Sequence, residues 1–243
     1  MRAVAVHFIH IGKTGGTALK SVLRPVFKAG TETPLGPVIV HKGHSFRLRD
    51  VPRGDKALFC VRDPVSLFVS AFDSRLRKGQ PKFYFEWSPA EAEAFGRFPT
   101  PQALAEALAS PDRRTRKQAE AAMRAIQHVR GLTRALGSPQ NVIAHRRQIA
   151  YIGRQETLDA DWERIRAMLE LPETLRLPKN PKKAHRRPSS DQPVLDAEAE
   201  AALRDWYADD YEIVRTCDRL RAANGWNGEP PQRALALKLA LRR

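Results

Sequence analysis

One stretch, FIHIGKTGGTALKS from Phe8 to Ser21, restricts the possible folds more than any other part of the chain. Val4, Val6, Phe8, Ile9 and Ile11 form an apolar run of strand-favouring residues, long enough for a buried parallel strand and too short for a helix. The run stops at Gly12. Gly15 and Gly16 then supply backbone freedom for a tight turn, and Thr17, Ala18, Leu19 and Lys20 open a helix predicted to reach Lys28. The first amides of a helix have no partner within it, and the helix dipole favours negative charge beside them. Amides of Gly15, Gly16, Thr17 and Ala18 are therefore expected to converge on an anion, with the Thr14 and Thr17 hydroxyls as further donors.

A chain of 243 residues with 42% hydrophobic content can bury one substantial core, so a single domain with insertions is expected. No run is long and apolar enough to span a bilayer, and the first residues lead straight into the strand without a charged leader and cleavage site. Cys60 and Cys217 show no metal-ligand spacing and read as buried free thiols, which fits a cytoplasmic location. The formal charge of +15 first suggests nucleic acid. Zinc-finger spacing, a basic heptad region and an RNP-like aromatic strand are all missing from the sequence, and a protein for a multiply charged nucleotide or an acidic glycan would be equally basic.

Further along, Val38, Ile39 and Val40 form a second short strand that delivers HKGHSF, His41 to Phe46, to the carboxyl end of the sheet, where open α/β folds build their sites. Ala57 to Val61 form a third strand with Arg62 at its end. Asp63 suits an N-cap and Pro64 the first helical position, while Val65, Phe68, Val69 and Phe72 supply the apolar face. Arg62 and Ser70 are then expected to face one ligand, and a guanidinium fork with a hydroxyl suits a phosphate. From Lys78 to Pro111, aromatics interrupted by prolines read as a substrate-side insertion or lid, or equally as packing under a long loop. Ser110 to Leu136 is expected to be helical, with Ala122, Ile126, Val129 and Leu132 on one side. A strand around Ile149 to Ile152 precedes a helix that turns Leu158, Trp162, Ile165 and Leu169 inward. A later helix should pack Leu203, Trp206 and Tyr207. The tail, ending RALALKLALRR, is expected to dock on the core, bind a partner or lie on an anionic membrane surface, in that order.

A Walker A loop reads GxxxxGK[ST], whereas here Lys13 precedes the glycine pair in a shorter loop that suits one phosphate. GKTGGT after a strand resembles the 5′-phosphosulfate-binding loop of sulfotransferases that use 3′-phosphoadenosine 5′-phosphosulfate. VRDPVSLFVSAF resembles the 3′-phosphate-binding signature of the same family, carried by Arg62 and Ser70. Gly153, Arg154 and Glu156 before a helix, and the DYE of Asp210 to Glu212, are weaker likenesses. The resemblance implies a three-layer, P-loop-like α/β fold with a central, mostly parallel sheet flanked by helices and a helical, aromatic insertion. It also implies one domain over residues 1–221, with 78–136 as the acceptor-side insertion and 222–243 as a basic tail. The donor would be 3′-phosphoadenosine 5′-phosphosulfate (PAPS), the product adenosine 3′,5′-bisphosphate, and no metal would be required. A basic loop carrying Lys182, Lys183, Arg186 and Arg187 would close over the adenine and 3′-phosphate. The motifs look closer to carbohydrate sulfotransferases than to enzymes acting on phenols and steroids, which implies a sugar, glycolipid or related hydroxyl acceptor, itself acidic or not.

In such an enzyme Lys13 would neutralise the bridging oxygen as the bond to sulfur breaks, and Arg62 with Ser70 would select the 3′-phosphate. An alcohol acceptor also needs a base. His44 is the choice, after the second strand at the mouth of the site; His41 competes with it and Glu32 stands third. The HxxH spacing of His41 and His44 has no third metal ligand nearby and is discounted, while His7 and His10 are read as strand residues that serve packing. Two other classes stand beside this one. A P-loop kinase would need magnesium held by Asp63, and a non-catalytic basic module would bind many polyanions without preference for a 3′-phosphorylated nucleotide.

Overall fold

Four short runs of apolar residues pair as parallel strands: β1 (Val6–Phe8), β2 (Val38–Val40), β3 (Lys56–Val61) and β4 (Ile149–Arg154), in the sheet order β2-β1-β3-β4. Val6 lies in register with both Val38 and Lys56, and Phe59 with Ile152. The structure, a computed structural model, describes residues 4–81, 83–178 and 195–229. Lys182, Lys183, Arg186, Arg187 and the RALALKLALRR tail lie outside the described residues. The central parallel sheet flanked by helices is the α/β architecture expected.

Two compact units divide the chain. The first comprises the residues up to Arg62, those from Leu132 to the end of the following described stretch, and those from Glu212 onward. It holds the sheet, α1 (Gly16–Lys28), the short α6 (Thr133–Leu136) and α7 (Pro139–Ala144), α8 (Leu158–Met168) and most of α10 (Ala208–Ala223). Strand alternation places Val6, Phe8, Leu58 and Cys60 on one face, where Leu19 and Leu23 of α1 and Trp162 and Ile165 of α8 complete a buried cluster. His7, Phe59 and Val61 point to the opposite face. The strand ends earlier than its apolar run: the pairing stops at Phe8, although the Ile9 amide still donates to the Leu58 carbonyl at 2.9 Å.

The second unit, Asp63–Gly131 with the described part of Asn180–Tyr211, is helical. It contains α2 (Pro64–Leu76), α3 (Pro89–Arg97), α4 (Pro101–Ala109), α5 (Arg113–Ala125) and α9 (Ala197–Trp206). Asp63 caps α2 by accepting from the Ser66 amide at 2.8 Å, and Pro64 is its first residue, as the sequence predicts. The same device turns two of the prolines in residues 78–111 from apparent breaks into helix starts. Ser88 before Pro89 and Thr100 before Pro101 are helix starts, where a missing amide proton is harmless because that amide has no intrahelical acceptor. Phe95 and Phe98 are buried, whereas Phe83, Tyr84 and Phe85 are exposed.

The long helix expected over Ser110 to Leu136 is also corrected. It ends at Ala125, and His128 and Gly131 take left-handed backbone conformations. Ile126, Val129 and Leu132 are buried as expected, but on a turn held by tertiary bonds: Gln127 N–H donates to Glu91 at 3.0 Å and the Tyr207 hydroxyl to the Val129 carbonyl. Trp206, expected to pack inward, is exposed, while its neighbours Leu203 and Tyr207 are buried.

In the first unit a buried carboxylate ties β4, α8 and α10 together. Asp161, wholly buried, accepts from the Tyr151 hydroxyl at 2.6 Å, the Arg154 amide at 2.8 Å, the Thr157 hydroxyl at 2.7 Å and the Arg221 guanidinium at 3.1 Å. Arg221 is itself buried, so removing its counter-charge leaves a cation out of water. Asp161→Ala should therefore lower the unfolding free energy in urea denaturation by about 3–5 kcal/mol.

Candidate active site

The chain leaves β1 and turns at Lys13 and Gly15, both left-handed, with φ of 66° and 85°. Gly15 has no room for a side chain as well as an unfavourable φ for one, because a Cβ there would meet Leu158 Cδ2 of α8 at 2.6 Å. Lys13 is an ordinary residue in this region, which costs about 1–2 kcal/mol. Its carbonyl accepts a bond of 3.0 Å from the Arg62 guanidinium at the end of β3. The turn is thus held from β3 on one side and from α8 on the other.

α1 begins at Gly16 with Gly15 as its cap. The amides of Gly16 and Thr17 have no hydrogen-bond partner among the described residues, as an anion cradle requires. Two expected donors are not available. The Ala18 amide donates to the Gly15 carbonyl at 3.0 Å, because the helix opens with a tight first turn. The Thr14 hydroxyl is buried and donates to the Ile11 carbonyl at 3.0 Å, which stabilises the turn instead of facing a ligand.

His44 reaches this loop. Its Nδ1 donates to the His10 carbonyl at 2.8 Å, and since a carbonyl can only accept, the neutral ring keeps its lone pair on Nε2. Its ring packs on that of His10 with centroids 4.2 Å apart. Burial holds the His44 pKa below the ordinary imidazole value against the raising effect of the His10 carbonyl, and Lys20, Arg134 and Lys13 press it further down. The ring is therefore an unprotonated base at neutral pH. Lys13 and His44 share one electrostatic neighbourhood, as a transfer site needs them to do.

His10 was expected to be a packing residue of the first strand, and the structure corrects this. It lies beyond β1, where the Lys20 ammonium donates to its Nδ1 at 3.2 Å. A Cβ at Gly16 would stand 2.1 Å from the His10 ring, so the second glycine of the pair serves this close approach and not a left-handed turn. His7 is corrected as well: buried in β1, it is hydrogen-bonded through both nitrogens, to Asp55 and to His41, each at 2.9 Å. The signal for it was present, since a histidine between two inward-facing core residues of a strand must find partners for both ring nitrogens. Lys20 and Arg134 carried no such signal, because only the fold brings them to His44.

Arg62 is half-buried at the end of the first unit, and Ser70 is half-buried in the second turn of α2 in the second unit. Glu32 is exposed in the segment after α1. Among the described residues no group of three or more His, Cys, Asp or Glu side chains is arranged to hold a metal ion.

A family model described as the sulfotransferase family matches residues 4–214 of the chain. No curated protein matches it.

Since Lys20 lowers the proton affinity of His44, Lys20→Met should move the His44 titration midpoint upward in a proton NMR titration, and the wild-type midpoint should lie below that of a solvent-exposed histidine.

Proposed function

The chain belongs to the sulfotransferase family, and on that premise we propose that it transfers a sulfuryl group from PAPS to a hydroxyl of a carbohydrate, glycolipid or related acceptor. The observation that carries this reading is the convergence, within one unit, of two helix-start amides with no partner among the described residues, a lysine, and a histidine whose Nδ1 donates to the His10 carbonyl, leaving the lone pair of its neutral form on Nε2. The cradle suits the donor: Gly15 and Gly16 leave no space where a Cβ would stand, and the amides of Gly16 and Thr17 suit the oxygens of a 5′-phosphate.

In this mechanism the acceptor oxygen attacks sulfur in line with the bridging oxygen. The bond from sulfur to the acceptor forms, the bond to the bridging oxygen breaks with its electrons passing to the 5′-phosphate, and the acceptor proton goes to Nε2 of His44. Lys13 neutralises the charge that develops on the bridging oxygen, a role that a preorganised cation performs without reorganisation. Arg62 would bind the 3′-phosphate through its guanidinium fork, the role that the likeness of VRDPVSLFVSAF implies for it and for Ser70. A carbohydrate acceptor rests on the likeness of VRDPVSLFVSAF to that branch of the family. The buried free thiols of Cys60 and Cys217 are compatible with a reducing compartment such as the cytoplasm, and no described helix is long and apolar enough to cross a membrane.

The kinase reading has less support. Asp63, the carboxylate it would need for magnesium, accepts from the Ser66 amide through Oδ1 and from the Tyr211 hydroxyl through Oδ2, at 2.8 and 3.0 Å.

Calorimetric titration should give tight binding of adenosine 3′,5′-bisphosphate and little of ATP with magnesium; the reverse preference would favour the kinase. Arg62→Ala should weaken the bisphosphate by at least about tenfold, in keeping with the loss of a charge-assisted bond. With p-nitrophenyl glycosides as acceptors, Lys13→Ala and His44→Ala should each lower kcat by about 10²–10³-fold, while His44→Ala leaves bisphosphate affinity unchanged. Parental turnover in either variant would remove that residue from the mechanism.

A further inference from the structure

Helix α5 (Arg113–Ala125) carries a charge pattern that the transfer chemistry leaves unused. Arg113, Arg114, Arg116 and Lys117 fall in its first two turns, and all four are exposed. Positive charge at a helix start opposes the dipole, and like charges three or four positions apart repel. Both effects apply here, since Arg113 stands at these spacings from Arg116 and Lys117, and Arg114 from Lys117. Arginines of other helices pair with a carboxylate at the same spacings: Arg97 with Glu93, Arg166 with Glu163, Arg204 with Glu200 and Arg215 with Glu212. The side chains of Arg113, Arg114 and Lys117 form no hydrogen bond or ion pair among the described residues. Asp112, the acid next to them in sequence, is engaged as the cap and accepts from the Thr115 amide at 2.8 Å and the Thr115 hydroxyl at 2.7 Å. That cap and the buried Ala119, Ala122 and Met123 hold the helix against its own charges.

We propose that this face of α5 is a docking site for an acidic polysaccharide, a chain that bears a carboxylate or sulfate on successive sugars. At about 100° per residue, Arg113, Lys117 and Arg124 lie within about 40° of one another, opposite the buried Ala119 and Ala122, and extend over about 16 Å of helix. Arg114 and Arg116 flank the row. Arg116 also donates to the Ser110 carbonyl at 2.8 Å, and Arg124 to Glu120 at 3.4 Å. A row of fixed cations matches a row of fixed anions, and a planar guanidinium suits a carboxylate or sulfate through two parallel bonds. An anionic chain laid along the row relieves the repulsion and the opposed dipole together. The other residues of the face decide the class of partner. Glu120 and Ala121 offer neither an aromatic ring to stack a base nor an apolar side chain large enough to enter a bilayer. A saccharide chain needs only the charge, and its choice here rests on the carbohydrate acceptor proposed above.

The test titrates the full chain into labelled decagalacturonate, neutral dextran and a single-stranded deoxydecanucleotide, read by fluorescence anisotropy from about 50 to 200 mM salt. The parent should bind decagalacturonate and not dextran. Arg113→Gln, Arg114→Gln and Lys117→Gln together should weaken that binding at least about tenfold and reduce the slope of log K against log salt by about 2. A control with the same loss of charge, Arg97→Gln, Arg204→Gln and Arg215→Gln together, should change it by no more than about threefold. Equal losses in the two triple variants would reduce the binding to net charge and overturn the site. Undetectable binding of decagalacturonate by the parent overturns it too, as does tighter binding of the decanucleotide through the same three residues. The α5 variant should unfold about 2–4 °C above the parent, because the repulsion is gone; a lower midpoint would show that these cations support the fold and overturns the proposal. Its kcat with p-nitrophenyl glycosides and its affinity for adenosine 3′,5′-bisphosphate should stay within about twofold of the parent's, since neither is a polyanionic chain. A larger loss of kcat would place the cations in the transfer step and overturn the docking role. Failure of the parent to bind the bisphosphate would instead refute the donor assignment, and the polysaccharide titration would still decide whether α5 is a docking face.

Discussion

The left-handed turn from Lys13 to Gly15 is the constraint on which the site depends. It lets the chain leave β1 and enter α1 with the helix start open, and it is held by the Arg62 guanidinium on the Lys13 carbonyl and by Leu158 of α8 against Gly15. The position of the turn fixes that of the next residues. Gly16 lies under the His10 ring, the Lys20 ammonium holds that ring, and the His10 carbonyl in turn holds Nδ1 of His44. A side chain at Gly16 would disturb the base as well as the cradle, because the two are one packed assembly. Rigid support of this kind is what an in-line transfer needs, since misplacement of the reacting groups forfeits much of the rate.

Electrostatics link the same residues to their chemistry. The net charge of +15 is distributed so that Lys13, Lys20 and Arg134 all face His44. Together they make the neighbourhood attractive to a multiply anionic donor and keep the imidazole free of a proton. These two effects have one cause. A cationic pocket that concentrates donor also makes an imidazolium costly.

Much of this was legible from local sequence. The strand–turn–helix of GKTGGT, the Asp63 cap with Pro64 after it, the apolar face of α8 and the second short strand all follow from patterns that span a few residues. Local rules also misled in places. Prolines 89 and 101 looked like breaks and are helix starts, because the caps Ser88 and Thr100 precede them. The run from Ser110 to Leu136 has helical composition, yet Glu91 and Tyr207 bond its backbone at residues 127 and 129 and take it out of helix. Thr14 was an apparent ligand donor, and its hydroxyl serves the turn. In the run from Ser110 to Leu136, contacts distant in sequence outweighed a propensity of a few tenths of a kcal/mol per residue.

The sequence by itself determined the α/β class, the anion-binding start of α1, and Lys13 and His44 as candidates, because backbone freedom, capping and strand length are properties of neighbouring residues. Only the tertiary structure decided which atoms are available. It assigned the Ala18 amide and Thr14 hydroxyl to internal bonds, set the lone pair of His44 on Nε2, and joined Asp55, His7 and His41, residues up to 48 positions apart, through hydrogen bonds across parallel strands. The physical reason is that a tautomer or a protonation state depends on what the other end of a side chain meets, and in a parallel sheet that partner comes from a distant strand.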